Sequence, residues 1–196
     1  MRAGGRILSD RSNSLTDDEG TLLALVVRAG PLTTYQIAKI YENSPVSNFN
    51  TSKGKLYPLV KRLKTFGLIE GLRVDGDARG TELMHATDKG RSAVKQWVMQ
   101  LKPAHILLDD PLRTKLQSFD LLTAKERRDW VRDVRRQLAE KLDQLEQYAE
   151  EVEVPFHQGV HDNAVSSVEA RLAWLDRLEQ SLSDGGTDRA RAARAN

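Results

Sequence analysis

The sequence predicts a mainly α-helical protein in which one small β-hairpin interrupts the helices of the N-terminal half and no strand interrupts those of the C-terminal half. Three observations carry that prediction. Two capping boxes, Thr16-Asp-Asp-Glu19 and Thr123-Ala-Lys-Glu126, stand before apolar runs at helical spacing, and such a box satisfies two backbone N–H groups that a helix start leaves without partners. Strand-like segments around a glycine-containing turn are confined to residues 68–87. Beyond residue 123 apolar residues return every three or four positions, which is the period of a helix face.

In chain order, the first capping box leads into Leu22, Leu23, Leu25, Val26 and Val27, and Gly30-Pro31 ends that helix. Thr33 or Thr34 caps a second, shorter helix running through Ile40, with Tyr35 near its start and Ile37, Ala38 and Ile40 inward; Asn43-Ser-Pro45 breaks it. Thr51 or Ser52 caps a third helix to about Phe66, where Gly67 supplies the left-handed residue of a C-terminal cap. Residues 68–74 then read as a strand, 75–80 as a turn and 81–87 as the returning strand. Thr87 caps a fourth helix from Asp88 to about Leu101, with Val94, Trp97, Val98 and Leu101 on one side. Three helices, a two-stranded hairpin and a fourth helix in that order make a winged helix-turn-helix.

Beyond Pro103 the pattern is helical only. A short helical segment containing Pro111 is expected over 107–122. From the second capping box a stripe of Trp130, Val134, Leu138, Leu142, Leu145, Ala149 and Val152 advances over about eight turns, and Pro155 and Gly159 close it. A last helix carries Val165, Val168, Leu172, Leu175, Leu178 and Leu182, with Trp174 beside that stripe. Two such helices packed on each other leave apolar area over, and a second copy is its natural cover, so a two-fold homodimer through the C-terminal helices is expected. The domain reading is a disordered leader over 1–14, the winged helix-turn-helix over 15–102, a helical dimerisation domain over 103–183 and a flexible tail over 184–196.

Thirty Lys and Arg against 28 Asp and Glu give a net charge of +2 over 196 residues, and that total hides an asymmetry. Residues 15–102 hold 13 basic against 9 acidic side chains, +4, while residues 103–183 hold 11 against 16, −5. A polyanion partner is therefore expected for the first part alone. The absence of Cys excludes disulfides, thiolate zinc sites and a cysteine nucleophile. No run approaches the roughly 18 apolar residues of a spanning helix. The first 14 residues carry arginines without an apolar stretch of about 7–15, which reads as a leader and not a secretion signal. A cytoplasmic location without membrane contact fits.

Charge concentrates on the third helix. Leu56, Val60 and Leu63, widened by Leu59, form its inward face, while Lys53, Tyr57, Lys61 and Lys64 follow one another at steps of four, four and three on the opposite face. Like charges one turn apart repel by a few tenths of a kcal/mol, and phosphate relieves that repulsion. The major groove of B-DNA, roughly 12 Å wide, admits one helix with its N-terminal residues near the base edges. Ser52, Lys53 and Lys55 stand at that end, preceded by Asn50 and Thr51, and are the candidates for base or near-base contact. Tyr57, Lys61 and Lys64 are candidates for backbone contact, Tyr35 joins them from the second helix, and Arg79 at the hairpin tip would reach the adjacent backbone. Basic helix faces also occur on proteins that never touch DNA; the hairpin that follows favours DNA here. Pro58 removes one intrahelical bond, and a distortion is expected there.

The segments Thr34-Tyr-Gln-Ile, Ser52-Lys-Gly-Lys-Leu-Tyr-Pro-Leu-Val-Lys-Arg-Leu, Gly67-Leu-Ile and Ala86-Thr-Asp-Lys-Gly-Arg resemble the PadR family of bacterial transcriptional regulators, over Leu15 to Leu101. The acidic helical remainder is similar only in architecture to the longer dimerisation region of one branch of that family. The resemblance implies a sequence-specific regulator, with repression the expected sign, that binds double-stranded DNA at an inverted repeat as a homodimer and is released by a small-molecule effector, commonly aromatic. Trp97 and Trp174 are the effector candidates, although tryptophans on amphipathic stripes usually just pack. Two departures stand out. Lys55 occupies a position where the family usually has Thr, and the wing carries Asp75, Asp77 and Glu82 around Arg79, with Met84 in an aromatic slot. A weaker or shifted wing contact is expected.

Little points to other chemistry. His157 and His161 lie four apart, but Gly159 between them reads as loop and His105 is not a strong third ligand, so no metal is expected. No Gly-x-Ser-x-Gly, Walker A or dinucleotide fingerprint is present, and neither an enzyme nor a cofactor is expected. The competing class is a ligand-sensing or protein-interaction module with only weak, non-specific DNA binding.

Overall fold

The computed structural model describes residues 14–46, 53–73, 80–107, 109–152 and 154–183. They divide into two compact units, one formed by residues 14–43 and 53–107 and the other by 44–46 and 109–183. In the first unit the order is α1 (Asp17–Ala29), β1 (Leu32–Thr33), α2 (Thr34–Glu42), α3 (Lys53–Thr65), β2 (Ile69–Arg73), β3 (Glu82–Ala86) and α4 (Asp88–Met99). Local chemistry sets the starts of the helices. Thr16 Oγ1 accepts from the Glu19 N–H at 3.2 Å and the Glu19 carboxylate returns the contact to the Thr16 N–H at 2.9 Å; Thr33, and not Thr34, does the same with Gln36.

The hairpin of β2 and β3 is antiparallel, with Ile69 opposite Ala86 and Arg73 opposite Glu82. A third strand joins it, because β1 pairs with β3 and gives the order β1-β3-β2. Two residues are too few for alternation to reveal, so the sequence hides β1. Leu22, Leu23, Val26, Ile37, Leu56 and Leu63 of the helices, with Ile69 of the sheet itself, lose nearly all contact with solvent.

Three inward positions read from the sequence turn outward. Ile40 is exposed, and Tyr41 takes its place because α2 runs to Glu42 and puts residue 41 one turn beyond Ile37. The Tyr41 hydroxyl donates to the Thr21 carbonyl at 3.0 Å, and burial pushes its phenol upward. Val98 and Leu101 are exposed as well. The inward line of α4 is Gly90, Ala93, Val94 and Trp97, which leaves Val98 one position off it, and Leu101 lies past the helix end. Trp97 sits on Gly20 of α1 so closely that a Cβ there would stand 2.2 Å from the indole.

In the second unit the elements are α5 (Pro111–Leu116), α6 (Ala124–Glu151) and α7 (His157–Ser183). Pro111 takes the first helical position behind Asp110, whose carboxylate accepts from the Leu112 N–H at 2.9 Å, so it starts a helix and does not interrupt one. The second capping box is made, Thr123 with Glu126. Leu145 of α6 and Val168 and Leu175 of α7 are buried, together with Val131, which the α6 stripe left out. Phe119, Trp130 and Trp174 stack edge to face with centroids 4.9 and 6.3 Å apart. Arg135 reaches from α6 to Asp176 and Glu179 of α7. Gly159 is helical, not loop, since α7 starts at His157. Among the described residues no helix is long and apolar enough to cross a membrane.

Candidate nucleic-acid interface

α3 is amphipathic in the sense its spacing implies. Leu56, Val60 and Leu63 are buried, and Lys55, Tyr57 and Lys61 stay in solvent, Tyr57 at 61% exposure. The helix runs unbroken through Pro58. At its end Gly67 adopts φ +65°, and the paired bonds Leu68 N–H to Leu63 carbonyl and Gly67 N–H to Lys64 carbonyl, both 2.9 Å, close a Schellman cap. Tyr35 is exposed in the first turn of α2, with the Lys39 ammonium 5.7 Å from its ring centroid. Asn50, Thr51, Ser52 and Arg79 lie outside the described residues, and of Lys53 only the backbone is described.

The basic residues of α3 do not share one role. Arg62 Nε lies 2.6 Å from the Glu19 carboxylate, which is 2% exposed, and its guanidinium stands over the Phe66 ring at 5.4 Å. One Glu19 oxygen completes the cap of α1 while the other holds Arg62, so a single buried carboxylate fixes α3 against α1. Lys64 is ion-paired to Glu82 of β3. Lys55 and Lys61 have no such partner among the described residues. Spacing alone could not sort them, since both acids come from distant segments.

A second tie holds the end of α3. Thr87 caps α4 by accepting from the Gly90 N–H at 3.0 Å and donates its hydroxyl to the Gly67 carbonyl at 2.8 Å. Lys89 donates to the Phe66 carbonyl at 2.7 Å. The Ala86–Arg91 segment thus satisfies carbonyls that the end of α3 would otherwise leave free.

Of the two effector candidates, Trp97 belongs to the first unit and Trp174 to the second. The Trp97 indole N–H donates to Asp17 at 3.3 Å, and the same carboxylate takes the Lys102 ammonium at 3.1 Å and a His105 ring nitrogen at 3.3 Å. Lys102, helped by Trp97 and His105, holds the Asp17 carboxyl below the usual carboxylate range. Trp174 lines an open recess of about 370 Å³ with Asp110, Arg113, Ser167, Ala170 and Arg171. Arg171 is anchored on Asp110 at 3.1 Å, and Arg113 has no ion-pair partner among the described residues. No group of three metal-binding side chains occurs among them either.

The sequence matches the transcriptional regulator PadR-like family over residues 22–96, and no curated protein matches it. Among solved structures, PadR of Bacillus subtilis in complex with operator DNA superposes with a TM-score of 0.70 at 21% identity, covering 84% of this chain and 98% of that one. The same regulator in complex with p-coumaric acid gives 0.68 at 20% identity, with coverage of 84% and 98%. A PadR-like regulator from Bacillus cereus gives 0.67 at 18% identity, with coverage of 85% and 98%. At such identities the likeness is one of fold, and it extends over most of the chain. Over residues 22–96 the sequence is thus similar to the PadR-like family of transcriptional regulators, and the fold of the chain is similar to that of solved PadR regulators.

Proposed function

We propose that the chain regulates transcription as a homodimer that binds an inverted-repeat operator in double-stranded DNA, with repression as its sign and the cytoplasm as its place. The observation that carries this reading is the outer face of α3, where Lys55, Tyr57 and Lys61 are exposed and the cations have no acidic partner among the described residues while the opposite face is buried. Unpaired cations on a helix that fits the major groove are what phosphate and base edges would satisfy. Asn50, Thr51, Ser52 and Lys53 precede that face in sequence, and Tyr35 and Arg79 would flank it. Residues 15–102 serve as the DNA-binding part and 103–183 as the dimerisation part.

Half-buried apolar side chains support the dimer. Trp130, Val134, Leu138, Leu142, Leu172 and Leu178 remain partly open to solvent on α6 and α7, which is the surface a second copy would cover. Two winged domains related by a two-fold axis would then meet half-sites about one helical turn apart, or a multiple of it. The Trp174 recess, with its indole wall and the unpaired Arg113, suits a small aromatic acid as the releasing effector; a B. subtilis neighbour of the same fold is a complex with p-coumaric acid. The Trp97 indole is the poorer candidate, held as it is by Asp17 and Gly20.

Selection from random-sequence duplexes at two salt concentrations tests the proposal. An enriched inverted repeat is the expected outcome. Salt-dependent binding without a motif would reduce the function to a non-specific basic surface. No binding at all would overturn it in favour of a ligand-sensing or protein-interaction module.

A further inference from the structure

Glu82 stands at the start of β3 directly opposite Arg73 at the end of β2, and opposite charges at such a cross-strand position ordinarily pair. Here they do not. The Glu82 carboxylate takes the Lys64 ammonium from the last turn of α3, while Arg73 is exposed and has no ion-pair partner among the described residues. Residues 69, 71 and 73 of β2 share the sheet face that carries Met84 and Glu82, and Gly71 lies between. A Cβ at Gly71 would stand 2.7 Å from the Lys64 ammonium and 3.0 Å from a Glu82 oxygen. The lysine lies across the strand at the one position with no side chain to displace it.

We propose that Glu82 exchanges the roles of two cations: it holds Lys64 across Gly71 as a strut between α3 and the wing, and in doing so leaves Arg73 as a wing cation that contacts the DNA backbone. The proposal rests on the DNA-binding reading above and adds Arg73 to it. Its physical content is electrostatic. A carboxylate 18 residues downstream of Lys64 competes with phosphate for that ammonium, and a cation neutralised inside the protein releases no counterion from DNA. Arg73 has no competitor for its guanidinium among the described residues, and its fork suits phosphate better than a point charge does.

The test is the salt dependence of binding to a mixed-sequence duplex, read for the full chain and its variants. Each lost phosphate contact makes the log–log slope shallower by about 0.9, or about 3.5-fold less affinity change between 50 and 200 mM salt. Arg73→Met is expected to lower the slope by that amount and Lys64→Met to leave it unchanged. Glu82→Gln, which frees Lys64, is expected to steepen it by the same amount, and Glu82→Gln combined with Lys64→Met to return it to the parent value. Gly71→Ala, which crowds the strut, should steepen it in the same direction as Glu82→Gln. Thermal melting of each variant establishes that it is folded. A shallower slope for Lys64→Met with none for Arg73→Met would overturn the assignment, and so would two unchanged slopes. If the parent chain shows no salt-dependent binding at all, the DNA-binding reading fails and carries this one down with it.

Discussion

Glu19 ties two elements of the first unit together, because one of its oxygens caps the start of α1 and the other holds Arg62 of α3. Replacing Arg62 by Met would leave a carboxylate at 2% exposure with one partner fewer. A buried charged group that loses a partner costs about 1–3 kcal/mol, so Arg62→Met should lower the chemical-denaturation midpoint clearly. Lys61→Met, on the solvent side, should stay within about 0.5 kcal/mol of the parent. Equal losses in the two variants would mean that the Glu19 tie contributes nothing. Gly20 sets a second single-residue constraint. Ala there would drive a methyl into the Trp97 indole, since a Cβ at Gly20 has only 2.2 Å to the ring, and overpacking of this kind costs about 1–3 kcal/mol. Gly20→Ala should destabilise the first unit and shift Trp97 emission; an unshifted spectrum would show that the ring had not moved. The chemistry of single residues was the part most open to reading from sequence where it was local. Thr16 with Glu19 and Thr123 with Glu126 cap as their spacing implies. Glu19 with Arg62 and Glu82 with Lys64 were invisible, because contacts between distant segments depend on how helices and strands pack.

At the scale of elements, helix type and order follow from periodicity, and the errors gather where periodicity is weakest. β1 is too short to alternate, Ile40 and Val98 fell on the wrong side of short helices, and Gly159 suggested a break where α7 is already helical. The one-sided basicity of α3 was legible; which of its cations are tied inward was not. The junction of α1 with α4 and the segment after it makes a pH-dependent prediction. Asp17 is held below its ordinary value of about 3.9 chiefly by Lys102. A carboxylate with a depressed folded pKa contributes stability that is complete above its unfolded pKa and is lost as pH falls through the folded one. The Asp17 side chain is half exposed, so the contribution is small, about 0.5 kcal/mol. Asp17→Asn should therefore be slightly less stable than the parent at pH 7, and the difference should vanish as the pH is brought from about 4 toward 2. A difference that persisted at the acid end would assign the effect to packing.

For the whole molecule, the long pair α6 and α7 has more apolar stripe than its two helices can cover. Leu172 lies on that stripe, half-buried, and a charge there would be trapped in any two-fold contact. On the proposed homodimer, Leu172→Glu should halve the mass seen by sedimentation while keeping helical circular dichroism, and should weaken binding to an inverted repeat far more than to a single half-site, because two linked domains gain from effective concentration. A dimer that survived the substitution would place the contact elsewhere. The fold as a whole was readable because its architecture is written in caps and stripes, each a local pattern.

The bonds at the end of α3 bear on motion. The Phe66 and Gly67 carbonyls are held by Lys89 and Thr87, and the Leu68 carbonyl accepts the Thr87 N–H at 3.1 Å. The last turn of α3 cannot fray without releasing the start of α4 at the same moment. Amide hydrogens of Leu68, Thr87 and Gly90 should therefore exchange with solvent at a common opening rate, as one cooperative unit.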